Sequence, residues 1–99
     1  MPLVATVAAW AADEPSFILV LKDHQFIPAQ LTVPSGNRVE LVIENRDPTP
    51  AEFESTDLRR EKIVVGNGRI LVWVGPLPVG TYVFFDDFHP ATQGKLTAQ

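Results

Sequence analysis

Strand signals follow one another at short intervals along this chain, each closed by a proline- or glycine-bearing turn. That rhythm fits packed β-strands rather than an α/β unit. Phe17 to Lys22 is a nearly continuous apolar run. Phe26-Ile27-Pro28-Ala29 interrupts the pattern, and Gln30 to Val33 resumes it before the turn Pro34-Ser35-Gly36-Asn37. Arg38 to Asn45 alternates, with Val39, Leu41 and Ile43 on one face and Glu40, Val42 and Glu44 on the other, as a half-buried strand does. Asp47-Pro48-Thr49-Pro50 is a rigid loop, because two prolines remove two donors and hold their predecessors extended. Ala51 to Ser55 is extended, and Thr56 to Glu61 reads equally as one helical turn capped by Thr56 or as a bulged strand. Gly66-Asn67-Gly68 is a turn, after which Ile70, Val72 and Val74 oppose Leu71 and Trp73. Thr81 to Phe85 has the aromatic and β-branched content of a buried strand between the turn glycines Gly80 and Gly94, and a short last strand runs from about Lys95 to Ala98. The expectation is one all-β domain, a Greek-key β-sandwich of about seven strands.

Composition narrows the function classes. A chain of 99 residues, 45% of them hydrophobic, can bury a core without disulfides or a structural metal, so a metal here would serve function. The chain has no cysteine, which removes thiolate catalysis, disulfides, cysteine-held zinc and iron–sulfur clusters. A net charge of -4 with scattered lysines and arginines argues against nucleic acid or an anionic membrane as partner, and leaves acidic groups for cations. The opening M-P-L-V-A-T-V-A-A-W-A-A is apolar and turns polar at Asp13-Glu14-Pro15. It reads as the tail of a secretory signal peptide with Ala9-Trp10-Ala11 as an A-x-A cleavage pattern, or as an apolar arm, and it is too short to cross a membrane. The expected division is residues 1–11 as that remnant and 12–99 as the domain.

No nucleophile motif, phosphate-cradling glycine loop or H-E-x-x-H is present, so the chemistry rests on oxygen and imidazole donors. Glu52 and Glu54 share one side of an extended segment, with Phe53 on the other. Asp86-Asp87-Phe88-His89 forms the polar tip of the aromatic strand, and the second histidine, His24, stands in the first loop. Carboxylates with imidazoles suit Cu(II), iron or zinc and lack the soft sulfur that holds Cu(I) tightly. The plainer alternatives are that Asp87 and His24 are simply solvated and that Glu54 pairs with Arg59 or Arg60. Asp86, at the end of an aromatic strand, is the hardest to read as decoration.

Gly80-x-Tyr82-x-Phe84-Phe85-Asp86-x-x-His89, with the closing Gly94-Lys95-Leu96, resembles the C-terminal ligand loop of the cupredoxins. In that pattern Asp86 takes the place of the copper-binding cysteine, His89 matches the loop histidine, and Gln93 lies roughly where the axial methionine would be. Val39 to Asn45 is similar to the strand preceding the first cupredoxin histidine, and the ligand region after it offers Glu52. Without cysteine, a blue type 1 copper centre is ruled out. The chain resembles more closely the small cupredoxin-like proteins of bacterial iron-uptake operons. They carry in order the blocks seen here as Phe26 to Gly36, Asn45 to Ser55, Asp57 to Lys62 and Phe84 to His89. It is similar, more distantly, to the N-terminal domain of the periplasmic component of an iron transporter. Phe26 and Asp86 occupy the positions of two metal-site cysteines of that relative.

The resemblance implies a periplasmic protein that binds copper (Cu2+) and/or iron and assists iron delivery. Its partner would be an iron permease or a periplasmic iron-binding protein, and oxidation of Fe(II) would make it a ferroxidase. Glu52, Asp86 and His89 are the ligands expected, with Glu54, Asp87 and His24 as second-site or outer-shell groups. The rivals are a metal carrier without turnover and a metal-free β-sandwich that docks a transporter component.

Overall fold

The computed structural model describes residues 14–99, so the signal-peptide reading of the opening segment lies outside the described residues. Nine strands follow in chain order: β1 (Ser16–Lys22), β2 (Gln25–Ile27), β3 (Gln30–Val33), β4 (Val39–Asn45), β5 (Ala51–Ser55), β6 (Arg60–Val64), β7 (Arg69–Val74), β8 (Gly80–Asp86) and β9 (His89–Ala98). They form two sheets in the orders β2-β1-β4-β7 and β3-β9-β8-β5-β6. Within them β1 runs parallel to β4 and β3 parallel to β9, while the other neighbours are antiparallel. This is the expected β-sandwich, with two more strands than the sequence signals suggest. No helix of the described residues is long and apolar enough to cross a membrane.

The two-residue period places the core between the sheets. Val39, Leu41 and Ile43 of β4 are at most 1% exposed, and Val72 and Val74 of β7 pack with them. From the facing sheet come Ala51 and Phe53 of β5, Phe84 of β8, and Leu96 and Ala98 of β9. Phe26, Phe53 and Phe84 form an aromatic cluster, with the Phe26 and Phe84 rings edge-on at 4.9 Å and those of Phe53 and Phe84 5.4 Å apart. Edge-on contact sets the positive ring edge against a negative face, which fixes orientation as well as burying area.

Three local expectations are refined. The polar tip after β8 is a tight hairpin turn, since Asp86 pairs with His89 across Asp87 and Phe88. The last strand accordingly begins at His89, with an irregularity between Phe85 and Asp86 that absorbs the extra residues Pro90 to Thr92. The ambiguous Thr56 to Glu61 segment is a turn leading into β6. There the Ser55 hydroxyl accepts the Leu58 N–H at 3.0 Å and donates to the Val83 carbonyl at 2.6 Å. Leu58 is thereby buried, and the side chains of Arg60 and Lys62 donate to the carbonyls of Trp73 and Leu71 on β7 at 2.8 and 3.1 Å. Arg60 and Lys62 thus cover the open edge of β7.

Candidate metal site

One end of the sandwich gathers the β1–β2 turn, the β8–β9 turn and the start of β5. Asp86 closes β8 with its side chain on the core side, 1% exposed. A carboxylate so placed needs partners. Its Oδ1 accepts the N–H of Glu52 at 2.9 Å and that of Phe88 at 3.0 Å, while Oδ2 stands 3.3 Å from His89 Nδ1. The Asp87 N–H donates to the Glu52 carbonyl at 2.9 Å, so Glu52 is tied to the β8–β9 turn through its N–H to the Asp86 carboxylate and through its carbonyl to the Asp87 backbone.

His24 arrives from the other sheet. Asp23 and His24 have φ values of 52° and 56° between the paired Lys22 and Gln25. Two left-handed residues in a two-residue hairpin make the type I′ geometry, which Asp and His tolerate better than most. The turn carries the His24 ring to 4.1 Å from the His89 ring, with the planes tilted by 37°. His24, Asp86 and His89 then offer one donor atom each within 4.8 Å of one another. The histidine side chains are about half exposed, at 49% and 43%, so the group is anchored by a buried carboxylate and open to solvent through its imidazoles.

The six candidate residues therefore fall into two groups of three, and Glu52 and His24 take each other's expected places. Strand parity is the reason. Phe53 is inward and pairs with Asp86, so Glu52 and Glu54 on either side of it point outward and only the Glu52 backbone meets Asp86. On that outer face the carboxylates of Glu52, Glu54 and Asp87 again lie within 4.8 Å of one another. Glu61 stands directly opposite Glu54 in the ladder. Burial first, and then the charges of Glu61, Asp87 and Glu54, hold the Glu52 carboxyl above the usual glutamate range. Burial followed by Asp87 and Glu61 does the same for Glu54. Glu54 Oε1 is buried without a hydrogen-bond partner, and neither arginine considered for Glu54 is among its ion-pair partners in the described residues.

Asp47 escapes the sequence reading. It is 6% exposed, and its two oxygens accept the N–H groups of Asp23 at 2.7 Å and His24 at 3.0 Å. Burial alone would raise its carboxyl, but those two bonds and the nearby charges of His24 and Lys22 outweigh it, and the net shift is downward. The signal that could have found it is the pair Asp23-His24 between two strand runs, which asks for a left-handed turn and hence for something to hold it.

The donor set decides which copper chemistry fits. A type 1 centre needs a thiolate and the chain has none, whereas two imidazoles and a carboxylate suit a nitrogen- and oxygen-ligated Cu(II).

Comparison with known proteins agrees with the fold. An uncharacterized protein of Rickettsia prowazekii is 45% identical over 74 residues, which cover 75% of this chain and 59% of that protein, so this chain spans less than two thirds of the relative's length. Auracyanin A, a "blue" copper protein of Chloroflexus aurantiacus, superposes with a TM-score of 0.75 at 16% identity, over 88% of this chain and all of that one. The metal-binding domain of the Cu(I)-exporting P-type ATPase of Streptococcus pneumoniae, solved with Cu(I), gives 0.73 at 15% identity over 85% and 84% of the two chains. At such identities these two structures speak for the fold alone. The sequence profile of the Cupredoxin-like domain matches residues 1–98, and the chain belongs to that family.

Proposed function

We propose that this chain is a periplasmic Cu(II)-binding protein that assists a bacterial iron uptake system, with iron as its substrate or cargo. The observation that carries the reading is the convergence of His24, Asp86 and His89 within 4.8 Å. A bound Cu(II) would supply a one-electron acceptor of the kind Fe(II) oxidation requires. The rest is the chain's own work. Asp86 contributes a fixed anionic donor whose other oxygen is committed to two backbone N–H groups, so it is oriented before any metal arrives. His24 and His89 present imidazole nitrogen donors on the solvent side. On the neighbouring outer face Glu52, Glu54 and Asp87 gather negative charge, which draws cations, and hard oxygen donors stabilise Fe(III) relative to Fe(II).

The test is stopped-flow oxidation of Fe(II) by copper-loaded protein against the same concentration of free copper. Faster oxidation by the loaded protein is expected, and no difference would sink the ferroxidase part of the reading. A second reading, a carrier that hands metal to an iron permease or a periplasmic iron-binding protein without turnover, is favoured by the half-exposed imidazoles. It calls for stoichiometric binding with no acceleration.

A further inference from the structure

His24 has φ at 56°, in the left-handed region that costs an L-residue more than it costs glycine. Its backbone is gripped from two sides. The His24 N–H donates to Asp47 Oδ2 at 3.0 Å, and the Thr92 hydroxyl donates to the His24 carbonyl at 2.7 Å. Asp47 Oδ1 takes the preceding N–H, that of Asp23, at 2.7 Å. Asp47 is itself immobilised, since its N–H donates to Asn45 Oδ1 at 3.0 Å, and the Asn45 amide donates to the carbonyls of Thr49 at 2.8 Å and Val65 at 3.2 Å. Asn45, Asp47 and Thr92 are at most 6% exposed, yet they converge on a histidine whose side chain is half in solvent. A turn that needed only to reverse the chain could use glycine at its left-handed positions and dispense with this apparatus.

We propose that Asp47 and Thr92 are positioning residues that hold His24 where its ring meets Asp86 and His89, so that the third donor of the metal site stands ready before the metal binds. The inference rests on the Cu(II)-binding reading above. Neither residue is among the three donors that gather within 4.8 Å; both hold the His24 backbone, and Asp47 Oδ2 also lies 3.8 Å from His24 Nδ1. With the clamp in place, the metal is spared the cost of ordering the β1–β2 turn on binding.

The test uses the full chain with Asp47→Asn, which sets an amide donor against one of the two N–H groups, and with Thr92→Val, which removes only the hydroxyl. Three measurements are made: hydrogen exchange of the Asp23 and His24 amides without metal, Cu(II) affinity by chelator competition, and the number of coupled imidazole nitrogens by pulsed EPR. Asp47→Asn is expected to lose protection at both amides, to bind Cu(II) about 10- to 100-fold more weakly, and to show one coupled imidazole where the unaltered chain shows two. Thr92→Val should shift all three readouts in the same direction by a smaller factor, and it decides the matter if Asp47→Asn does not fold. A lower melting temperature with unchanged affinity and two coupled imidazoles would reduce Asp47 and Thr92 to supports of a turn and overturn the inference. Failure of the unaltered chain to take up Cu(II) would overturn the reading of the site, and this inference with it.

Discussion

Replacing Asp86 by alanine and by asparagine separates the two tasks of this carboxylate. Its Oδ1 accepts two backbone N–H groups, from Glu52 at 2.9 Å and Phe88 at 3.0 Å, in a side chain that is 1% exposed. Alanine leaves both donors unpartnered, and at ~1–3 kcal/mol for each buried orphan the expected loss is ~2–6 kcal/mol. A domain of this size has only about 5–15 kcal/mol in total, so Asp86→Ala should remove a substantial share of it. Asparagine keeps an oxygen for the two N–H groups and places its amide nitrogen opposite His89 Nδ1, which accepts it when unprotonated. The expected loss is under about 1.5 kcal/mol. Both variants lack the anionic donor, so both should bind Cu(II) weakly. Urea unfolding with a Cu(II) titration on each variant reads the two tasks apart. If Asp86→Ala lost under about 1 kcal/mol, the claim that this carboxylate ties β5 to the β8–β9 turn would be wrong. If Asp86→Asn kept the parent affinity, Asp86 would not be a ligand.

Phe84 is fully buried against Phe26 and Phe53, and Phe84→Ala should cost ~3–5 kcal/mol in urea unfolding; a loss under about 1 kcal/mol would contradict the core described. Burial and the like charges of Glu61 and Asp87 raise the carboxyls of Glu52 and Glu54, so the folded chain holds protons there more tightly than the unfolded one does. Their favourable share of stability is then present in acid and lost as pH rises through the raised values. Glu54→Gln should accordingly raise the melting temperature at neutral pH and flatten its decline with pH, and an unchanged pH profile would refute the carboxylate cluster. Asp86→Cys puts a thiolate beside two imidazoles, the donor set of coloured copper sites, so Cu(II) should give an intense visible band that the parent lacks. A colourless adduct would mean that the three side chains do not converge on one ion.

Much of the fold was legible because the two-residue period shows directly in the residues. Val39, Leu41 and Ile43 against Glu40 and Glu44, and Ile70, Val72 and Val74 against Leu71 and Trp73, fix both strand and face. The short β2 was hidden because three residues ending at a proline carry too little pattern, and its pairing depends on a turn held by Asp47 from a distant loop. The candidate site residues were legible by type and not by grouping. Parity around Phe53 could have told that Glu52 faces away from Asp86, but not that the β1–β2 turn would bring His24 in from the opposite sheet, which is a matter of topology. The resemblance to the cupredoxin ligand loop points to Asp86 and His89, and the histidine beside them, His24, lies outside that loop.

The most direct test of the central claim is pulsed EPR on the chain loaded with one equivalent of Cu(II), repeated on His24→Ala and His89→Ala. The expected result is a type 2 spectrum coupled to two imidazoles in the parent and to one in each variant. An intense blue centre, or a parent spectrum in which loss of His24 changes nothing, would contradict it.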